Sequence, residues 1–110
     1  MEISKKISLL KTLSGEQILR AGVFYDALEE CGDLKFNYHE YATTHPIDCR
    51  QELLRLPGAD YDTCCALLTM LLREDHFLNG SFVERQRAGQ VKPIVDQMIF
   101  LLQKGLEDTI

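Results

Sequence analysis

A run of apolar residues near the middle of the chain is the strongest signal in the sequence. Between Cys64 and Leu72 the only polar residue is Thr69. A helix on a protein surface shows one apolar stripe, whereas a helix that is apolar on all sides is buried among other elements. The pattern therefore predicts a central, buried helix over residues 60–78, with Asp60 as its N-cap.

Apolar residues recur at helical spacing in further segments on both sides of this helix. The predicted helices cover residues 2–13, 14–31, 47–56, 82–88 and 91–104. Capping boxes are expected at Ser14 with Gln17, Asp48 with Gln51 and Ser81 with Glu84. Glycine caps are expected at Gly32, Gly89 and Gly105. Within the second helix, Ile18 and Phe24 should face inward.

This arrangement predicts an all-α fold. About six helices joined by short turns form a compact multi-helix bundle around the central buried helix at residues 60–78. A length of 110 residues suits one helical domain, residues 1–110. Residues 33–45 lack a helical period, so we expect an ordered loop there, pinned by its aromatic side chains.

Composition and charge narrow the classes of function. A net charge of −5 argues against a general binder of polyanions, so nucleic acid is not the favoured partner. No apolar run reaches the roughly 20 residues that a membrane span needs. The four cysteines form no C-x-x-C pair, and we expect reduced, buried thiols, as in a cytoplasmic protein. No cofactor is indicated.

A spaced pattern of residues lies at the end of the central helix. Its members are Thr69, Arg73, Asp75, His76, Phe77 and Gly80. This pattern resembles a family of small bacterial proteins known only as a domain of unknown function, in which an arginine is more usual at the position of His76. The resemblance extends over residues 61–102. It implies a compact helical domain and no particular activity.

Arg73, Asp75 and His76 are the candidate ligand-binding residues. In a structural interpretation, Arg73 pairs with Asp75, Glu74 or the last carbonyls of the helix and fixes the following turn. In a functional interpretation, Arg73 holds an anion, with Asp75 and His76 close by as an acid and a base. A pocket beside Arg73 would favour the functional interpretation.

Arg85, Arg87 and Lys92 form the only local basic cluster in the sequence. They are the candidate residues for weak nucleic-acid binding. The alternative is an ordinary solvated turn, which is the more common role for a few cations in an acidic protein. The short helix at residues 82–88 also lacks the basic and amide-rich face of a helix that reads DNA.

Metal binding and catalysis have weaker support. His39, Glu40, His45 and Cys49 are suitable ligand types, but their spacing differs from the helical H-E-x-x-H pattern. Thr69 has no histidine at helical spacing to activate it, and we expect its hydroxyl to bond the carbonyl four residues earlier. The sequence therefore assigns no metal site and no catalytic residue.

The last predicted helix has a wide apolar arc. Its inward stripe is expected to comprise Val91, Ile94, Val95, Met98, Leu101 and Leu102. Ile99, Phe100, Leu106 and Ile110 would then leave an apolar patch, and such patches mark interfaces. The favoured function is accordingly a non-catalytic protein-interaction or accessory module, with a homodimer or a protein partner.

Overall fold

Six α-helices build the described part of the chain, residues 2–44 and 47–108 without the side chains of the last two, in a computed structural model. They are α1 (Ile3–Leu13), α2 (Ala21–Cys31), α3 (Cys49–Leu54), α4 (Tyr61–Phe77), α5 (Ser81–Arg87) and α6 (Lys92–Asp108). Short 3-10 turns cover Tyr38–Glu40 and Leu56–Gly58. The Cα radius of gyration is 13.2 Å, close to the roughly 13 Å of a compact chain of this length. The predicted all-α bundle is confirmed.

Helix α4 is the central element, as its sequence predicts. Every residue from 63 to 72 is buried, and α4 packs against α2, α5 and α6. Its N-cap is Asp60, whose carboxylate accepts a hydrogen bond of 2.8 Å from the backbone N–H of Thr63. The rings of Phe24 on α2 and Phe82 on α5 meet edge to face, with centroids 4.8 Å apart. The core is therefore continuous around α4.

The second helix begins later than predicted. Ser14 ends α1 instead of capping α2, and α2 starts at Ala21. The hydroxyl of Ser14 donates to Asp96 of α6, while the ammonium of Lys92 donates to the Ser14 carbonyl at 2.8 Å. Ile18 is 42% exposed and does not face inward. Ser14 therefore does not form the predicted cap, and its hydrogen bonds instead join the end of α1 to the start of α6.

The last helix also differs from its prediction. Helix α6 continues through Gly105 to Asp108, because Gly105 is not in the left-handed conformation that ends helices at Gly32 and Gly89. Ile99 is buried with the core stripe, whereas Leu101 and Leu102 are only partly buried. Ile99 therefore belongs to the core and not to the predicted apolar patch.

The remaining predictions concern a membrane span and three residues that the structure does not describe. None of the described helices is long and apolar enough to cross a membrane. His45, a candidate metal ligand, Pro46, expected at a helix start, and Ile110, expected in the apolar patch, lie outside the described residues.

A buried carboxylate holds the loop between α2 and α3. Glu52 on α3 is only 1% exposed. It accepts hydrogen bonds from the backbone N–H and the hydroxyl of both Thr43 and Thr44, and it pairs with Arg55 at 2.7 Å. The aromatic ring of Phe36, by contrast, is 57% exposed. Glu52 therefore holds this loop, whereas Phe36 does not pin it.

The environment of Glu52 also sets its pKa. Burial alone would raise that pKa, but the hydrogen bonds from Thr43 and Thr44 and the charge of Arg55 outweigh burial and lower it. Because the pKa is lower in the folded chain than the roughly 4.3 of an unfolded glutamate, the carboxylate stabilises the fold fully above that value. The stabilisation is lost as the pH falls through the folded pKa.

Glu52→Gln should lower the free energy of unfolding by about 2 kcal/mol at neutral pH, because an amide cannot satisfy both the threonine donors and Arg55. Denaturant titration measures this loss. The matched control is Glu84→Gln, which removes an exposed ion pair with Arg87 and should change stability by about 0.5 kcal/mol or less. As the pH drops below about 4, the stability of the Glu52 variant should also fall less than the stability of the wild type. Equal stability of the two variants would contradict the assignment.

Candidate functional site

A cleft of about 290 Å³ lies beside the C-terminal half of α4. One wall comes from α4, and the other comes from the 3-10 turn after α2 and the segment before α3. The lining residues are Tyr38, His39, Ile47, Met70, Arg73, Glu74, Phe77 and Leu78. Most of this surface is apolar. The pocket that would favour a binding role for Arg73 is therefore present.

The spacing of residues on α4 explains the inner wall of the cleft. Met70, Arg73 and Phe77 are three and four residues apart, so they share one face of the helix. Met70 is 8% exposed and forms the floor, while Phe77 is 75% exposed and stands at the rim. The guanidinium of Arg73 lies 5.9 Å from the centroid of the Phe77 ring, in range of a cation–π interaction.

The outer wall is tied to the core by Thr69. The hydroxyl of Thr69 donates to the carbonyl of Cys65 at 2.8 Å, as the sequence predicts. The same oxygen accepts a hydrogen bond of 2.9 Å from the backbone N–H of Lys35. Residues 38 and 39 follow directly after that anchor, and Glu52 holds the far end of the loop through Thr43 and Thr44. Both ends of the outer wall are thus fixed before anything binds.

The guanidinium of Arg73 forms no hydrogen bond or ion pair with any residue in the described ranges 2–44 and 47–108. Its expected structural partners, Glu74 and Asp75, bond to other groups. The interpretation in which Arg73 fixes the turn after α4 is therefore wrong. Its donors point to no protein acceptor within the described chain.

Glu74 is held by Arg85 of α5. Two hydrogen bonds of 2.8 Å join the two side chains, and Arg85 also donates to Gln90 at 2.9 Å. The hydrogen bonds from Arg85 lower the pKa of the Glu74 carboxyl. The positive charge of Arg85 therefore offsets the negative charge of Glu74 in the cleft wall.

Asp75 closes the turn between α4 and α5. One of its carboxylate oxygens accepts from the backbone N–H groups of Gly80 and Phe82, at 3.1 and 3.0 Å. Gly80 is the N-cap of α5 and has a left-handed backbone with φ of 92°. The predicted capping box at Ser81 is wrong, because Ser81 is already the first residue of α5. The amides on either side of Ser81 donate instead to Asp75 of the preceding helix.

His76 lies away from the cleft. It is exposed, and its ring meets the Phe77 ring edge to face with centroids 5.2 Å apart. Of the predicted ligand-binding residues, the structure places Arg73 on the cleft wall, Asp75 in the helix turn and His76 outside the cleft lining. A ligand-binding role for the three together stays a prediction.

The predicted nucleic-acid-binding residues each contact a carboxylate. Arg85 pairs with Glu74, and Arg87 pairs with Glu84 at 2.8 Å. Lys92 lies 3.4 Å from Asp96 on α6. These three cations are distributed over α5 and the start of α6, and weak nucleic-acid binding by them also stays a prediction.

The cysteines and the described candidate metal ligands, His39, Glu40 and Cys49, form no metal-binding group. All four cysteines are buried, and none forms a disulfide. Burial raises the pKa of the Cys64 thiol to about 12 and also raises that of Cys65, which keeps both thiols protonated and unreactive. Within the described ranges, no group of three or more histidine, cysteine or acidic side chains could hold a metal ion.

Sequence reasoning found Arg73 but missed most of the cleft. Tyr38 and His39 lie in a segment without helical period, so no pattern places them beside α4. Phe77 and Leu78 did carry a signal, because they are large apolar residues in a polar helix end. In the structure, Phe77 is 75% exposed and Leu78 is 62% exposed. Their position in a polar helix end could have predicted this exposure.

The arrangement is suited to binding. It combines an apolar floor, aromatic walls and one cation whose donors have no acceptor in the described chain. The hydroxyl of Thr69, the nearest alcohol on α4, is 1% exposed and bonded to Cys65. It is therefore withheld from any ligand in the cleft.

Comparison with protein families places the chain. Residues 12–103 match the model of a family of unknown function, DUF6508, and the chain belongs to that family. The match is longer than the expected resemblance over residues 61–102 and includes part of α1 and all of α2. No curated protein and no solved structure matches the chain significantly.

Arg73→Ala should leave the free energy of unfolding within about 0.5 kcal/mol of the wild type, because the guanidinium bonds to no described group. Arg85→Ala is the matched arginine variant and should cost about 1–3 kcal/mol, because it leaves Glu74 without its partner. Denaturant titration of both variants measures the difference. Unfolding of the Arg73 variant would show that Arg73 has a structural role after all.

Proposed function

We propose that this member of the family is a non-catalytic protein-interaction module that receives its partner at the cleft beside Arg73. The observation that carries the proposal is the exposure of Phe77 and Leu78, at 75% and 62%, next to an arginine without a protein acceptor. Arginine and aromatic side chains dominate the energetics of protein interfaces. Here both stand on one helix face at the mouth of an apolar cleft.

The energetics support association through this face. Phe77 and Leu78 leave large apolar surfaces in water, and covering apolar surface stabilises a complex by roughly 25 cal/mol per Å² before the costs of association. Nearby, the ion pair of Glu74 and Arg85 is already formed and only partly exposed. A partner therefore gains apolar contact without first breaking an ion pair of this chain.

The alternative is a small enzyme or a protein that binds a small anion, using Arg73, Asp75 and His76. The volume of about 290 Å³ is at the lower end of the roughly 300–1,000 Å³ of ligand pockets. A ligand of that size would leave the rim at Phe77 and Leu78 exposed. Asp75 is also occupied by two backbone amides, which favours the interaction module over an acid–base site.

The spacing of Thr69, Arg73, Phe77 and Gly80 is part of the proposal, as a signature of the family. Each residue makes a physical contribution in this chain. Thr69 anchors the loop that walls the cleft, Arg73 stacks on Phe77, and Gly80 takes the left-handed conformation at the turn. Three such contributions, made by four residues at fixed spacing, support the idea that the stretch acts as a unit.

The cellular setting belongs to the same proposal. We infer a bacterial, cytoplasmic protein in which this chain forms one helical domain. Its buried cysteines without disulfides are typical of a reducing compartment. Helices α1 to α6 share one core around α4, which is what a single domain of this length requires.

Phe77→Ser should strongly reduce capture of the partner. The purified chain is immobilised, exposed to a lysate of the source organism, and the retained proteins are quantified by mass spectrometry. The partner should fall about tenfold on the Phe77→Ser column, as is typical of an interface hot spot. The matched control is Phe100→Ser, which removes another exposed phenylalanine, 56% exposed on α6. Equal retention on both variant columns would overturn the assignment of the cleft.

A homodimer is a second candidate, and a separate surface favours it. Phe100 on α6 is 56% exposed although its neighbour Ile99 is buried, and Leu106, six residues later, is 38% exposed. Exposed apolar residues on one helix are typical of an interface between copies.

Light scattering over a range of concentrations should detect this dimer, and Phe100→Ser should shift it to the monomer. Phe77→Ser is the control in this experiment and should leave the dimer intact, because Phe77 lies on the cleft rim. A wild-type chain that stays monomeric at the highest concentration would contradict the dimer while leaving the cleft untouched.

A further inference from the structure

We infer that the cleft recognises an acidic segment of a partner protein, in which a carboxylate side chain lies beside an apolar one. The carboxylate binds Arg73, and the apolar side chain packs on Met70 and Ile47. This inference rests on the proposed function, because it names the chemistry of the partner that the cleft receives.

Arg73 has donors available for a carboxylate. Its guanidinium is held near the Phe77 ring, with centroid distance 5.9 Å, and bonds to no acceptor in the described chain. A guanidinium presents a planar fork of donors that matches the two oxygens of a carboxylate. The Phe77 ring lies at the outer range of a cation–π interaction with this guanidinium, which favours its position at the cleft mouth.

The charge of the cleft matches a single carboxylate. The other cation near its wall is Arg85, and Glu74 already neutralises it through two hydrogen bonds of 2.8 Å. One available positive charge balances one carboxylate. A phosphate group carries nearly two negative charges at neutral pH and would lie close to the Glu74 carboxylate without a second cation. The charge balance therefore favours an acidic side chain over a phosphorylated one.

The spacing of Met70 and Arg73 on α4 matches the spacing of alternate side chains in an extended peptide. Met70 and Arg73 are three residues apart on α4, which places their Cβ atoms about 5–6 Å apart. Side chains two residues apart on an extended segment lie on one face at about 7 Å. An acidic residue and an apolar residue separated by a single residue can therefore reach both positions at once.

The exposed rim of the cleft distinguishes a protein segment from a free small acid as the ligand. Phe77 and Leu78 extend the apolar surface past the cleft mouth, where they are 75% and 62% exposed. A small acid confined to about 290 Å³ would not cover them. A peptide continues beyond the cleft in both directions and can bury this rim.

The test is a titration of the full chain with short peptides of defined sequence, followed by NMR of the backbone amides and the Arg73 side-chain N–H. The probe is the capped peptide acetyl-Ala-Phe-Ala-Glu-Ala-amide. Its matched control replaces the glutamate by glutamine, which preserves shape and removes the charge. We expect the acidic peptide to bind about tenfold more tightly than the amide peptide, as for a charge-assisted hydrogen bond.

Two arginine variants locate the effect. Arg73→Gln should remove the preference for the acidic peptide, so that both peptides bind equally weakly. Arg20→Gln is the control, since Arg20 is an exposed arginine that precedes α2 and does not line the cleft. It should preserve the tenfold preference. Resonances of residues 70–78 should shift in the wild type and in the Arg20 variant.

The outcomes distinguish this inference from the proposed function. If both peptides bind the wild type equally, or if Arg73→Gln keeps the preference, the acidic partner is excluded while the apolar docking site stands. Tighter binding of 3-phenylpropionate or of inorganic phosphate than of the acidic peptide would also overturn it, in favour of a small ligand. Absence of any shift at the solubility limit of the peptide would overturn it as well. Loss of partner capture through Phe77→Ser remains the independent test of the cleft itself.

Discussion

The burial of α4 on every side is the constraint on which the rest of the structure depends. Ten consecutive residues, 63–72, are withdrawn from water. A helix with that pattern is stable only if apolar faces cover all of it, because each turn left exposed would forfeit hydrophobic stabilisation. Helices α2, α5 and α6 supply those faces, and α1 covers α6 in turn. The arrangement of the bundle follows from this requirement.

The same constraint explains why the cleft lies where it does. The core ends at Leu72, so the polar residues after it must complete the helix end and connect it to α5. Glu74 does so by pairing with Arg85, and Asp75 does so by accepting two backbone amides. Arg73 contributes to neither bond. It lies on the cleft wall beside the apolar floor of Met70, 5.9 Å from the centroid of the exposed Phe77 ring.

Local signals in the sequence predicted those elements whose ends depend only on their neighbours along the chain. Asp60 caps α4 and Gly32 ends α2 as expected, because a cap bonds amides within one turn. Ser14 and Ser81 carry equally good local signals and do not cap. Asp96 and Lys92 bind Ser14 from 78 or more residues away, and Asp75 reaches the α5 terminus from the preceding helix. The partners of Ser14 are too distant to be read from residue spacing, and Asp75 lies outside the three-residue spacing of a capping box.

The cleft was predictable only on the side formed by α4. Its other wall has no period and depends on Glu52, a charged residue that pattern reasoning would place in water. Glu52 is buried because five donors from Thr43, Thr44 and Arg55 converge on it. Thr69 adds a second anchor on the core itself. With both walls fixed in advance, a partner loses little free energy in ordering the site. The preformed apolar cleft, with Arg73 on its α4 wall, therefore supports the recognition role proposed for it.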